Sequence, residues 1–289
     1  MFSGFRVNSP DSLKATLYVQ PINSSIMIDS DIKNRIKEEL ADIERQNDVK
    51  ILYACESGSR AWGFPSKDSD YDVRFIYIHR KEWYLRVDNS RLRDVIEKPI
   101  DDELDVSGWE LRKALNLLKK SNPALIEWLN SPIVYRKNEM FYNEINSLIK
   151  EHYSPKACFY HYSHMANGNN RGYLQGNSII IKKYFYVLRP ILAMKWIEKD
   201  LGIVPTEFDT LLKAVIDDKA LLECIEKLLR KKQEGFESKF MPRNDLISDF
   251  IDAELNRFSQ FKEDLAVSKS KFESLNKFFL KTLQPEDHV

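Results

Sequence analysis

The sequence predicts an α+β fold: a mixed β-sheet with flanking helices, followed by an all-α C-terminal domain. Three observations predict it. Two apolar runs, residues 51–55 and 75–78, bracket a loop rich in Gly, Ser and Pro, the pattern of strand, turn, short helix or loop, strand. Residues 103–108 alternate acids with apolar residues at the period of a strand. From about residue 150 onward the apolar spacing is helical. The chain has 289 residues, 43% apolar and 30% charged, a length that suggests two domains. We expect a sheet-bearing domain over 27–145 and a helical domain over 146–289.

Taken in order, residues 1–26 mix Ser, Asn and Pro with isolated apolar residues and read as an arm, a leader or an upstream extension. Asp29-Ser30-Asp31 is a helix start, and Ile32, Ile36, Leu40 and Ile43 give the helix over 30–46 its apolar face. Strands follow at 51–55 and 73–79, then a helix or loop over 80–93 and a short strand at 94–97. Leu111, Ala114, Leu115 and Leu118 mark an amphipathic helix over 107–120, which Asn122-Pro123 breaks. A short helix over 124–129 and a last strand at 133–135 complete this half. The second half reads as helices over 155–167, 178–197, 207–217, 219–232, 244–263 and 268–282. Asn167-Gly168-Asn169-Asn170 is expected to turn, Pro190 to kink or restart its helix, and residues 284–289 to fray.

Bulk composition narrows the function classes. Lys plus Arg and Asp plus Glu are equal at 44 each, so no global field draws in nucleic acid, and an RNA partner would need a local basic patch. Cys55, Cys158 and Cys224 lack the paired spacing of a zinc knuckle or disulfide framework, which fits a reducing cytoplasm. No apolar stretch approaches a membrane span.

The chemistry concentrates in residues 56–72. On a strand, residues two apart share a face, so Asp70 and Asp72 project together while Tyr71 and Val73 point into a packed layer. Paired carboxylates need a cation, and oxygen-only ligation suits Mg²⁺, with Mn²⁺ as the alternative. Gly58 permits close approach of a phosphate, and Ser59 offers it a hydroxyl and an amide. Arg60 and Arg74 flank the motif as phosphate contacts. Arg74 shares the parity of Asp70 and Asp72, so its alternative role is to neutralise them. The bland reading is an acidic strand end without a metal.

Gly58-Ser59, followed twelve residues after Gly58 by the Asp70-Tyr71-Asp72 triplet with Ser69 before it, resembles the signature of the DNA polymerase β-like nucleotidyltransferases. The fuller string through Arg74 and Phe75, with Gly108-Trp109-Glu110-Leu111 and Lys182-Lys183-Tyr184-Phe185-Tyr186 further on, is similar to the RNA-repair-ligase-associated (RlaP-type) branch. The resemblance implies that Ser69 belongs to the nucleotide site and that Asp105 is a third carboxylate, serving as metal ligand or proton acceptor. Otherwise Asp105 is a helix N-terminal acid. It implies Mg-dependent transfer of NMP from an NTP to an acceptor hydroxyl, an RNA 3′ end being favoured over a protein side chain. A degenerate, non-catalytic nucleotide-binding scaffold is the rival of a different class. An antitoxin-like role predicts a much shorter chain.

In the helical half, Lys182, Tyr186 and Arg189 fall on one helical face with Lys183 beside them, a stripe suited to phosphates and a base. Its alternative is a solvated basic face. His161 and His164 lie one turn apart without a third ligand nearby, and 227–232 is a basic cluster at a helix end.

Overall fold

The computed structural model describes residues 28–88, 92–100, 103–261, 265 and 271–284. The arm expected over 1–26 and the frayed end expected beyond 284 lie outside them. Helix α1 (Ser30–Asn47) starts where Asp29 accepts a hydrogen bond from the Asp31 amide, and it buries Ile36, Leu40 and Ile43. The chain then builds β1 (Val49–Glu56), a one-turn helix α2 (Gly58–Ala61), β2 (Tyr71–His79), α3 (Lys81–Tyr84), β3 (Val95–Glu97) and β4 (Leu104–Glu110). Helices α4 (Leu111–Lys119) and α5 (Pro123–Leu129), strand β5 (Val134–Lys137) and helix α6 (Glu139–His152) follow.

The five strands form one sheet in the order β3-β4-β2-β1-β5. Strands β2 and β4 run parallel and the other pairs antiparallel, so the sheet is mixed, as expected. Tyr71, Val73, Phe75 and Tyr77 of β2, with Leu104 and Val106 of β4, pack beneath α1. Ile76 and Ile78 face the other way, against α4, α5 and α6. Asp72, Arg74, Asp105 and Ser107 carry this second face toward the strand starts. The helix expected from residue 107 begins only at Leu111. Ser107–Glu110 stay in β4 because they complete its pairing with β2, and the Glu110 carboxylate then caps α4 at the Lys113 amide.

The second half comprises α7 (Pro155–Tyr173), β6 (Ser178–Ile180), α8 (Ile181–Glu198), α9 (Phe208–Val215), α10 (Lys219–Lys231), a π turn (Lys232–Phe236), β7 (Phe240–Pro242) and α11 (Asp245–Ser259). Helix α8 is buried on nearly every side and forms the centre of this bundle. Two points differ from expectation. The Asn167–Asn170 segment is helix rather than turn, and α8 continues through Pro190 without restarting. One contact accounts for both: Pro190 has no N–H for the Tyr186 carbonyl, and the Asn169 side chain on α7 donates to that oxygen at 3.0 Å. The short β6–β7 ribbon carried no sequence signal. Finally, α12 (Glu273–Thr282) returns to the first half, where Leu275 and Phe278 join the core beneath α4 and α6. The expected division at 145 is therefore crossed.

Candidate active site

The site is built where β1 ends and β2 begins. Gly58 adopts φ +57, and a Cβ placed on it would stand 2.0 Å from Asp72 Oδ2. Only glycine fits there, both by backbone conformation and by the space the carboxylate occupies. The Ser57 amide donates to the Asp72 carbonyl at 2.8 Å, which locks the turn against β2. Below it, the buried Glu56 carboxylate accepts the Asp72 amide at 2.9 Å and the Tyr135 hydroxyl at 2.5 Å. Burial pushes Glu56 up to about 7, against the lowering effect of those two hydrogen bonds.

Asp72 lies level with Asp105, its registered neighbour on β4. Arg74 stands between them. Its Nη2 donates to Asp72 Oδ1 at 2.9 Å and to Asp105 Oδ2 at 2.7 Å, and its Nη1 donates to the Asp105 and Val73 carbonyls at 2.8 and 3.1 Å. Asp72 is nevertheless raised above the ordinary carboxylate range. Burial is the largest cause; Arg74 opposes it, while Asp105 and Asp70 add to it. Asp70, one residue before β2, is exposed.

Opposite these carboxylates lie the first turns of α8. Tyr186 packs edge-on to Trp62, with ring centroids 6.4 Å apart. Its hydroxyl is raised by burial first, then by the charges of Asp72, Glu237, Tyr173 and Asp70, which places it at the carboxylate end of the site. Lys183 covers the Tyr173 ring at 3.8 Å and the Tyr186 ring at 4.8 Å. Lys182 sits 4.0 Å from Glu237. The arrangement brings the Gly58 turn and the Asp72 and Asp105 carboxylates together at one strand end, with Tyr186 of α8 nearby and Lys183 over its ring.

Residues 32–281 match a family described as "RlaP: RNA repair pathway DNA polymerase beta family". The chain belongs to that family. A Bacillus subtilis (strain 168) relative, "Uncharacterized protein YcgL", is 49% identical over 254 residues, 88% of this chain and 97% of that protein. Among solved structures, a nucleotidyltransferase-like protein from Exiguobacterium sibiricum 255-15 is similar over 89% of this chain and 81% of that one. That likeness is slight, with 11% identity and a TM-score of 0.31. Membership of a polymerase β-like family makes nucleotidyl transfer the general class of activity it supports, on the sheet and helical region expected from the motif.

In this RlaP-family chain the expected site residues separate into two groups. Gly58, Ser59, Asp70, Asp72, Arg74, Asp105, Lys182, Lys183 and Tyr186 gather at the strand end or at the helix facing it. Arg189 does not. It is 1% exposed, bound to Glu127 at 2.5 Å and to the Pro205 and Thr206 carbonyls, so its charge is consumed inside the bundle. Most of α8 beyond its first turns is buried, so a polar stripe that starts at the site runs into the core one turn later. Ser69 is also corrected: it is buried, and its hydroxyl is spent on Ser66, Ser59 and Glu237. Arg60 stacks 3.7 Å over the Tyr71 ring and donates to the Ser69 carbonyl at 2.7 Å, supporting the loop from below.

Arg74 lies between Asp72 and Asp105, and among the described residues no group of three His, Cys, Asp or Glu side chains is placed to hold a metal ion. The same finding leaves His161 and the exposed His164 as a surface pair. Sequence reasoning missed Glu56, whose signal was an acid closing an otherwise apolar strand. It also missed Lys232, read as one end of a basic cluster. Lys232 is 3% exposed and donates to the Phe64 carbonyl at 3.1 Å and to Glu237 at 2.8 Å. A groove of about 910 Å³, lined by Asp48, His79, Phe141 and Phe278, lies at the opposite end of β1 and β2. No helix among the described residues is long and apolar enough to cross a membrane.

Proposed function

We propose that the protein transfers a nucleoside monophosphate from an NTP to the hydroxyl of an RNA 3′ end. The observation that carries this reading is the seating of Asp72 on Gly58: a carboxylate and a side-chain-free turn share one spot, as a metal-bound triphosphate requires. The donor set fits Mg²⁺, with Mn²⁺ as substitute. Burial first, then the charges of Asp105 and Asp70, raises the Asp72 carboxyl against the opposing Arg74, and a cation would relieve it. Asp70 and Asp72 would hold that ion. When bound, it draws charge from the phosphate oxygens and orients the triphosphate.

The chain's own groups do the rest. The Gly58-Ser59 turn cradles the phosphates, Lys182 and Lys183 neutralise their outer oxygens, and the Tyr186 ring lies beside the base or ribose. The acceptor oxygen bonds to the α-phosphorus as the bond to the β-phosphate oxygen breaks. Pyrophosphate leaves, and Asp105 takes the acceptor's proton. The RNA acceptor rests on the family's description and not on any contact in this chain.

The test supplies each α-labelled NTP with Mg²⁺ and either RNA or mixed protein acceptors. The expected result is label on RNA, absent in Asp72→Ala and absent with EDTA. Label on protein alone would move the acceptor to a side chain. No label on either would support a non-catalytic scaffold.

A further inference from the structure

Two-metal transfer sites place a second ion between the carboxylates that face the attacking hydroxyl. Here that place is taken. We propose that Arg74 is a built-in cation standing where a second metal would bind, and that this chain works with one divalent ion, held on the Gly58 side of Asp72. The inference rests on the nucleotidyltransferase reading above and sharpens it.

The geometry is specific. Asp72 divides its two oxygens: Oδ1 accepts from Arg74 at 2.9 Å, whereas Oδ2 is turned to the glycine turn. Asp105 gives Oδ2 to the same Arg74 nitrogen at 2.7 Å. A Mg²⁺ bridging Asp72 Oδ1 and Asp105 Oδ2 would need to lie about 2.1 Å from each. Nη2 already bridges the same two oxygens, so ion and guanidinium compete for them and repel each other by charge. Arg74 is also fixed. Its other nitrogen donates to the Asp105 carbonyl at 2.8 Å and the Val73 carbonyl at 3.1 Å, so withdrawal would break four charge-assisted bonds at once. The strand enforces the arrangement, because Asp72 and Arg74 share a face and Asp105 is the register partner of Asp72. On the other side, Asp70 is exposed, and the nearby Arg60 donates to its carbonyl rather than bridging it to Asp72, which leaves the Asp70 carboxylate to an ion arriving with a triphosphate.

The experiment counts ions rather than turnover. Mn²⁺ is titrated into the full chain with an α,β-methylene ATP, and bound Mn²⁺ is read from the loss of its free electron-spin-resonance signal. The parallel sample is Arg74→Gln, checked for folding by circular dichroism. One Mn²⁺ per wild-type chain and two per R74Q chain is the expected result. Two per wild-type chain overturns the proposal while leaving the nucleotidyltransferase reading intact. One per chain in both proteins overturns the assignment of Arg74 to the second position. No Mn²⁺ bound to wild type overturns both readings. If R74Q does not fold, the wild-type count decides.

Discussion

Two arginines in this molecule make much the same bonds and have different uses. Each clasps two backbone carbonyls, Arg74 together with two carboxylates and Arg189 with one. Arg189 is buried between helices with Glu127, which also accepts from Tyr162 and Trp62, so its charge is matched inside the bundle even though its Nε finds no acceptor. Arg74 stands at a strand end, facing two carboxylates with a third close by, and a negative excess remains. A sealed pair joins pieces of the fold, whereas an open and unbalanced one is a place for a ligand.

The comparison breaks most readily at its extremes. Arg189→Ala should cost about 3–5 kcal/mol, because Glu127 is left as an uncompensated buried charge. Denaturant unfolding measures this, and transfer per folded molecule should stay near that of wild type. Asp72→Ala should show the reverse. Transfer should fall about 10³-fold, several kcal/mol at about 1.4 per tenfold, with little change in melting temperature. If the two variants lose activity and stability in parallel, the distinction between the arginines is wrong.

Gly58→Ala sharpens the site side. Its methyl would push the Asp72 carboxylate aside, and a displacement of that size should cost about 10²-fold in transfer. Asn169→Ala sharpens the core side: the Tyr186 carbonyl loses its donor, at about 1–3 kcal/mol in a thermal or urea melt.

The smallest effect comes from a group remote from both arginines. His79, stacked on Trp83 at 4.0 Å, is lowered from 6.5 to about 4 by burial, with Asp48 opposing. The unfolded chain then takes up this proton at a higher pH than the folded one. The stability contribution is complete above pH 6.5 and is lost as pH falls toward 4. In His79→Gln the slope of stability against pH across that window should flatten by up to one proton.

Much of this was legible in the sequence. Alternation put Asp72 on the face opposite Tyr71 and Val73, and the glycine spacing placed it beside the turn; Asp70 falls one residue before the strand. Long-range partners were not legible. The Arg189 stripe could not be distinguished from a ligand-facing one without knowing that most of α8 beyond its first turns is buried. The same holds for the Asn167–Asn170 segment, whose turn-forming residues stay helical because Asn169 is engaged by a neighbouring helix. Asp105 was placed correctly on its strand, but the route of the Arg74 side chain to it required the register of two distant strands.

The return of α12 has a practical consequence. A fragment ending near residue 145 would strip Leu275 and Phe278 from beneath α4 and α6 and lay open the underside of the sheet that carries the acids. It would also forfeit the Lys232–Glu237 clasp on the Phe64–Ser69 loop. Anyone dissecting this protein should keep the chain through residue 284, since its front half borrows part of its interior from its tail.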